Sequence, residues 1–414
     1  MPATAAAHER TDRPTRIPEV DALRGFALLG ILLVNALMMA SPYAPGGTVD
    51  PDAAMLDRTV EGVVQALVVG KFYLMFSFLF GYSFTLQQDS AARDGASAVP
   101  RMLRRSLGLF VLGFLHAVLL YTGDILMTYA LLGLVLIAAR NCSPGAALRA
   151  ARVVYGCASG FLLFLGLGSL FMSDAEATEL GALPPEFAAL VAEYRGDPAS
   201  VVRANIGQLP DAFLGVLLMG GFVLAAFLTG LYCGKRRLLA DTGRYAARMR
   251  RICLLGLALG LPGSIFMALA AGGVLGPRWS LLGSVVGMVT APALTAAYVC
   301  GMLLFMKTVR GGRAAVLLAP AGRMALTNYL SQSLVMALVF TAYGLALYDR
   351  LGAAVVELGA LVLYGAQLVL SKHLMARYRY GPVEWLLRAV TLARLPRSRG
   401  ERRGERHGQA ARGA

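Results

Sequence analysis

Ionisable side chains inside long apolar stretches are the residues of this sequence that could do chemistry. An ionised group is costly in hydrocarbon, so each such residue is a candidate for function. These candidates are Asp21, Arg24, Lys71, His116 and Asp124. Their types point to two kinds of chemistry, which are proton transfer and the binding of an anion.

Asp21 and Arg24 are three positions apart, so on one helix they share a face and can pair. A cation near a helix N-terminus opposes the macrodipole, and Arg24 therefore needs a carboxylate or phosphate partner. Arg24 is either an anchor whose charge reaches the membrane surface or part of a site for an anionic group. Asn35 follows eleven residues later, about three turns along the same helix.

Lys71 follows Gly70 and lies about 13 residues from Arg58, or roughly 20 Å along a helix. A lysine side chain cannot span that distance, so we expect a helix break at Gly70 or a water-filled cavity. We also expect a buried carboxylate or a polar cavity within hydrogen-bond reach of the ammonium. A structural ion pair with another helix is the alternative to a chemical role.

His116 lies in the middle of an apolar stretch, where it is either a hydrogen-bonded core residue or a proton-transfer group. Asp124 is in the short turn that follows, and it is a candidate either for catalysis or for a helix N-cap. Eight residues of continuous helix would separate the two side chains by about 12 Å. Unless the turn folds back, a second helix must therefore bridge them.

A polar stripe follows Arg323, with Asn328 and Gln332 as candidate substrate-binding residues. Such a stripe is equally typical of hydrogen bonds between membrane helices. A later amphipathic segment contains Trp385, which is expected at headgroup depth. Glu384 and Arg388 have the spacing of a helical ion pair in that segment.

The elements that position these residues are apolar stretches of about 20 residues, the length that crosses a bilayer core. Hydrophobic residues make up 57% of the chain and charged residues 15%. The sequence therefore predicts an all-α, polytopic transmembrane helix bundle of about ten spans. The predicted spans are 20–40, 60–86, 106–122, 125–140, 152–172, 211–233, 252–272, 281–306, 323–344 and 353–371.

Lysine and arginine are concentrated in alternate loops, including the segment 307–323, and basic loops remain cytoplasmic. We therefore predict that both termini are cytoplasmic and that the protein crosses the cell membrane several times. The net charge of +15 then faces anionic lipid headgroups, which makes membrane lipids the expected partners. Nucleic acid is not expected as a partner.

Composition shifts divide the chain into a tail, two halves of the bundle and a second tail. The predicted parts are a cytoplasmic tail at 1–16, an N-terminal half at 17–233 with spans one to six, a C-terminal half at 234–395 with spans seven to ten, and a disordered basic tail at 396–414. The acidic segment 173–210 is predicted on the outer side, with a short surface helix that begins at Pro184–Pro185.

The sequence lacks a Walker phosphate loop, a Gly-x-Ser-x-Gly elbow and a His-Glu-x-x-His metal motif. Its five cysteines show no metal-ligand spacing and are interpreted as small apolar residues. We predict no metal and no bound cofactor.

Five ordered motifs resemble the YeiB-like bacterial membrane proteins, which contain the domain of unknown function 418. They lie at 20–35, 70–84, 123–133, 322–333 and 380–388. The opening Asp-x-x-Arg-Gly at 21–25 is also distantly similar to transmembrane acyltransferases. Acyltransferase family three has a catalytic histidine near the outer end of that helix, whereas this chain has Asn35, which cannot act as a base.

This resemblance implies acyl transfer from a cytoplasmic thioester, such as an acyl-coenzyme A, to an acceptor in the envelope. In that hypothesis Arg24 and the basic cytoplasmic loops bind the donor phosphates, His116 activates the acceptor, and Lys71 or Asn35 polarises the carbonyl. The alternatives are a transporter that uses Lys71, His116 and Asp124, and a membrane scaffold.

Overall fold

The computed structural model describes residues 17–43, 50, 52–181, 187–240 and 242–396. These residues form an all-α bundle, so the predicted fold class is confirmed. In hydrocarbon, a helix satisfies its own backbone hydrogen bonds, which is why the apolar stretches adopt this form. The helices are α1 (Pro18–Ala40), α2 (Met55–Leu67), α3 (Lys71–Arg93), α4 (Ala98–Leu119), α5 (Leu126–Ala138), α6 (Pro144–Gly168), α7 (Asp174–Gly181), α8 (Phe187–Arg195), α9 (Pro198–Gly207), α10 (Leu209–Lys235), α11 (Ala246–Ala271), α12 (Trp279–Phe305), α13 (Val309–Arg323), α14 (Ala325–Phe340), α15 (Ala353–Arg377) and α16 (Pro382–Leu392).

Within the described residues, eight helical segments are long and apolar enough to cross a membrane, and α2 with α3 count as one of them. Two shorter apolar helices, Leu126–Asn141 and Ala325–Phe340, occupy the remaining predicted spans. The protein is therefore a multi-pass membrane protein. Its orientation and its division into two halves stay predictions.

The ends of the helices form two opposite faces of the bundle. The basic face is where α3 ends and α4 begins, near Arg93 and Arg101. The opposite face contains the turn at 120–125 and the segment 173–208. Both of the tails predicted at 1–16 and 396–414 lie outside the described residues, except for Pro396.

Helix α1 lies at the centre of the core, where Leu23, Ala27 and Leu28 are fully buried. It packs against α3, α13, α14 and α15. Gly322 of α13 lies so close to α1 that an added Cβ would overlap the carbonyl oxygen of Asp21. The segment predicted as a basic loop therefore contains a helix that is packed against α1, because small residues allow the two backbones to touch.

The opposite face is covered by α7, α8 and α9 rather than by the one short helix that the sequence predicted. Pro184–Pro185 lie outside the described residues. Arg195 at the end of α8 donates hydrogen bonds to the carbonyl oxygens of Tyr348 (2.7 Å) and Asp349 (2.8 Å). Asn205 of α9 donates to the carbonyl of Val118, at 3.1 Å, so this segment is tied to the end of α4.

Helix α16 is held against the start of α14 by Glu384. One carboxylate oxygen of Glu384 accepts hydrogen bonds from the backbone N–H groups of Leu326 (2.7 Å) and Thr327 (3.1 Å). These N–H groups belong to the first turn of α14, where a carboxylate is favourable. The predicted pairing of Glu384 with Arg388 is therefore wrong, because Glu384 caps another helix and Arg388 lies over the ring of Tyr380.

Candidate functional site

A cavity of about 410 Å³ extends inward from the basic face between α1, α3, α4, α5, α14 and α16. Its polar lining is dominated by guanidinium groups. Five arginines contribute to it, against two carboxylates, Asp94 and Glu384. The arginines are Arg24, Arg101, Arg105, Arg323 and Arg388. We call this space the arginine cavity. Its excess of positive charge suits an anion.

Two of these arginines are fixed by nearby acceptors. Arg24 donates to Asp21 Oδ1 at 2.8 Å and also to the hydroxyl of Ser83 on α3. Arg101 donates to Asp94 Oδ2 at 2.7 Å. That hydrogen bond lowers the pKa of the Asp94 carboxyl from its ordinary value. Asp94 is thus ionised near neutral pH and offsets part of the charge at the mouth.

Arg105 and Arg388 leave positive charge available at the cavity. Arg105 is half-buried, its Nε has no hydrogen-bond partner, and no carboxylate pairs with it among the described residues. Arg388 lies 4.9 Å over the centre of the Tyr380 ring, and Arg323 donates to the carbonyl of Arg379 at 3.3 Å. A buried guanidinium without a carboxylate is the kind of group that binds phosphate.

Sequence reasoning named Arg24 and assigned the basic loops collectively to phosphate binding, but it did not single out the other four arginines. Individually, Arg101 and Arg105 contributed only to the orientation argument, because a cluster of arginines at a span end is typical of a cytoplasmic loop. Arg323 and Arg388 come from distant parts of the chain. Their spacing carries no signal that they meet.

The inner end of the arginine cavity is formed by Tyr129 of α5 and Tyr329 of α14, both of which are buried. The ring of Tyr329 also contacts His116, with a centroid separation of 5.0 Å. Tyr329 therefore lies between the cavity and the histidine. A ligand in the cavity reaches His116 only if the Tyr329 ring moves.

His116 and Asp124 form a buried pair at this inner end. Nδ1 of His116 lies 2.9 Å from Oδ2 of Asp124, and both side chains are almost fully inaccessible. The other carboxylate oxygen of Asp124 accepts a hydrogen bond from Met127 N, at 2.8 Å, at the start of α5. The turn thus folds Asp124 back onto α4, and the expectation that a second helix bridges the pair is wrong. Asp124 both caps a helix and pairs with His116.

Nδ1 of His116 and Oδ2 of Asp124 approach each other closely but do not form a hydrogen bond, and the second ring nitrogen, Nε2, is buried without a partner among the described residues. A carboxylate on Nδ1 with a free Nε2 is the arrangement that orients a histidine for proton transfer. Gly113 makes room for the pair, since an added Cβ there would crowd Asp124 and Met127.

Lys71 lies elsewhere, fully buried at the break between α2 and α3. Gly70 has a φ of 81° and starts α3, so the predicted helix break is confirmed. The ammonium is 3.3 Å from the carbonyl oxygen of Gln65, at the end of α2. No carboxylate pairs with Lys71 among the described residues, and the expected buried carboxylate is replaced by a backbone carbonyl. Thr295 donates to the Lys71 carbonyl at 3.0 Å and closes the break.

The remaining predicted site residues lie outside the arginine cavity. Asn35 is half-buried on α1 and donates no side-chain hydrogen bond to another described residue. Asn328 donates to Ser371 Oγ at 3.0 Å, and Gln332 donates to Gln367 Oε1 at 2.7 Å. These bonds join α14 to α15. Their geometry is that of hydrogen bonding between membrane helices, and a substrate role for Asn328 and Gln332 stays a prediction.

The comparisons with known proteins agree with the motifs. Residues 233–394 match the family model described as "Protein of unknown function (DUF418)". The chain is 29% identical over 395 residues to "Uncharacterized protein YxaH" of Bacillus subtilis (strain 168), covering 91% of this chain and 94% of that protein. It is likewise 29% identical over 393 residues to "Uncharacterized protein YeiB" of Escherichia coli (strain K12), covering 90% of this chain and 95% of the relative. The resemblance of this chain to the YeiB-like membrane proteins, which carry the domain of unknown function 418, is therefore confirmed.

Proposed function

We propose that this protein is a membrane enzyme that transfers an acyl group from a phosphate-bearing thioester to an acceptor. The observation that supports the proposal is the order in which the arginine cavity, Tyr329 and the His116–Asp124 pair follow one another from the basic face into the bundle. The arginine cavity begins at the basic face and ends at Tyr329, and the other side of Tyr329 contacts the His116–Asp124 pair. An anion site and a histidine–carboxylate pair thus lie on the two sides of the Tyr329 ring, and movement of that ring would bring a ligand of the cavity to His116.

The donor side of the proposal is argued from charge. Guanidinium groups bind phosphate oxygens through two parallel hydrogen bonds, and an acyl-coenzyme A carries several phosphate groups. Arg105 and Arg388 have no carboxylate partner among the described residues, so neither charge is already neutralised in that way. The volume of about 410 Å³ lies within the range of about 300–1,000 Å³ that is common for small-molecule sites.

In the proposed reaction, His116 acts as the general base. Its free Nε2 removes the proton from an acceptor hydroxyl or amine, whose oxygen or nitrogen attacks the thioester carbonyl carbon. The C–S bond then breaks, the acyl group remains on the acceptor, and the thiolate leaves with the proton that the imidazolium returns. Asp124 holds the ring through Nδ1 and stabilises the imidazolium.

The first experiment tests the donor site with the purified protein in lipid nanodiscs. Acetyl-, octanoyl- and palmitoyl-coenzyme A are titrated while thermal stability and thiol release are followed. Arg105→Gln is the test variant, because Arg105 lines the arginine cavity. Arg104→Gln is the matched control, because Arg104 is the adjacent arginine of α4, does not line the cavity, and donates from Nε to the carbonyl of Pro100.

Arg105→Gln should weaken donor binding about 10- to 150-fold, since a hydrogen bond to a charged group contributes about 1.5–3 kcal/mol. Arg104→Gln should bind the donor like the wild type. Equal binding by all three proteins, or no binding of any acyl-coenzyme A, contradicts the proposal.

The break between α2 and α3 favours a second candidate, a transporter. Broken helices with a buried charge are typical of transporter binding sites, and Lys71 is such a charge. Lys71→Met removes the ammonium without leaving a paired carboxylate behind, so the fold should survive. Loss of solute uptake into proteoliposomes in Lys71→Met, together with no thioester turnover by the wild type, would favour transport over acyl transfer.

A further inference from the structure

A second cavity of about 410 Å³ lies on the other side of α3, between α3, α6, α10, α11 and α12. The arginine cavity uses Phe76, Leu79 and Phe80 of α3, whereas this one uses Leu74 and Phe78. The two spaces are therefore separated by the helix itself. We call the second space the apolar cavity.

Three hydroxyl groups line the interior of the apolar cavity, and each already donates a hydrogen bond to a backbone carbonyl. Tyr155 donates to the carbonyl of Val289 at 2.6 Å, and Thr229 donates to the carbonyl of Ala225 at 2.8 Å. Thr295 donates to the carbonyl of Lys71 at 3.0 Å. Because these hydroxyl groups already bond to backbone oxygens, the interior suits a hydrocarbon rather than a sugar or a nucleotide.

The length of the apolar cavity is close to the thickness of the hydrocarbon of one leaflet. Its lining on α12 runs from Pro292 to Leu303, a separation of eleven positions or about 16 Å of helix. Half of a bilayer core is about 15 Å thick. The lining ends at the basic face with Leu238 and Leu239, in the connection between α10 and α11. The cavity therefore extends from the middle of the bundle to the basic face.

Two arginines lie at this end of the apolar cavity. Arg152 of α6 and Arg248 of α11 are both part of the lining and both exposed. Neither forms an ion pair among the described residues. Exposed, unpaired cations at the mouth of a hydrocarbon-lined space complement a ligand that has an anionic head and an apolar tail.

We propose that the apolar cavity binds one acyl chain of an anionic phospholipid, whose phosphate lies between Arg152 and Arg248. The ligand comes from the leaflet at the basic face, because the mouth and the arginines are at that face. This site is distinct from the arginine cavity and does not depend on acyl transfer. It would make the lipid a structural ligand that fills the space between the α11–α12 hairpin and α3.

The experiment measures thermal unfolding of the purified protein in detergent during titration with phosphatidylglycerol, phosphatidylcholine or oleate. Phosphatidylglycerol should raise the unfolding temperature of the wild type at lower concentration than phosphatidylcholine. The variant Arg152→Gln/Arg248→Gln should need about 10- to 30-fold more phosphatidylglycerol, since each basic residue near a lipid surface contributes about 1 kcal/mol.

Arg149→Gln/Arg250→Gln is the matched control, because these two exposed arginines lie on the same helices and do not line the cavity. It should respond to phosphatidylglycerol like the wild type. A second test variant, Ala296→Phe, fills the interior and should abolish the lipid effect, with its unfolding temperature without lipid showing whether it is folded. Equal responses to phosphatidylglycerol and phosphatidylcholine, a response to oleate alone, or an equal loss in the control pair overturns the proposal.

Discussion

Nδ1 of His116 lies 2.9 Å from Oδ2 of Asp124 across the turn that joins α4 to α5. Two aromatic rings flank the histidine, Tyr121 at 6.4 Å and Tyr329 at 5.0 Å between ring centroids. Tyr329 also lines the arginine cavity, whereas Tyr121 belongs to the turn at the opposite face. The pair is thus enclosed, and the arginine cavity approaches it from the basic face.

The variant His116→Ala tests whether the histidine acts as a base. Donor binding should be unchanged, because the arginines proposed to bind the phosphates line the arginine cavity, whereas His116 lies beyond Tyr329. The rate of transfer should fall by about 10²–10⁴-fold, which is the usual contribution of general base catalysis. Calorimetric titration measures the first quantity and thiol release the second. If both binding and turnover are unchanged, His116 is not the base.

Asp124 has two separable roles, and two substitutions distinguish them. Asp124→Asn can keep an oxygen for the Met127 N–H group but loses the charge opposite His116. Asp124→Ala loses both. We expect reduced transfer in both variants, with a further loss of about 1 kcal/mol of unfolding free energy in Asp124→Ala from the missing cap. Thiol release and chemical unfolding in nanodiscs measure the two effects. Full activity in Asp124→Asn would assign this residue to capping alone.

The fold could be predicted from the sequence because hydrocarbon imposes a strict rule. Each apolar stretch has to form a helix, and the length of each stretch sets a span. The same rule does not identify α13, whose arginines and glycines are typical of a basic loop. It is a helix because Gly322 and Gly25 let its backbone touch that of α1. Such a contact is a property of tertiary packing and has no periodic signal.

The site could be predicted only in part, for a similar reason. His116 and Asp124 stood out because each is an ionisable residue in an apolar context. Their direct contact depends on the geometry of the turn at 120–125, which the sequence alone left open. Arg105 and Arg388 meet at one cavity although almost three hundred positions separate them in the chain. The spacing of residues within a short segment does not predict which distant residues meet at one cavity.

Close contact between α3 and α10 can be tested at a glycine. A Cβ at Gly230 would overlap the carbonyl oxygen of Phe78, whereas a Cβ at Gly220 on the same helix has no neighbour within 4 Å. Gly230→Ala should therefore separate the helices and lower the free energy of unfolding by about 1–3 kcal/mol, as overpacking does. Gly220→Ala should be neutral or slightly stabilising, since alanine favours a helix by up to about 1 kcal/mol.

Thermal unfolding in nanodiscs compares these two variants with the wild type. If Gly230→Ala and Gly220→Ala unfold at the same temperature, α3 and α10 are not in backbone contact in the membrane.

The orientation of the bundle decides which compartment supplies the ligand of the arginine cavity. Because lysine and arginine remain in the cytoplasm, the basic face should be cytoplasmic and α8 should be outside. In a protein whose native cysteines are replaced by alanine, Ala188→Cys lies on the exposed surface of α8, and Gly243→Cys lies between α10 and α11. A membrane-impermeant maleimide added to intact cells should label Ala188→Cys alone, and both variants should react after the cells are opened. The reverse pattern would put the arginine cavity on the outside, where acyl-coenzyme A is absent, and would contradict both the orientation and a cytoplasmic donor.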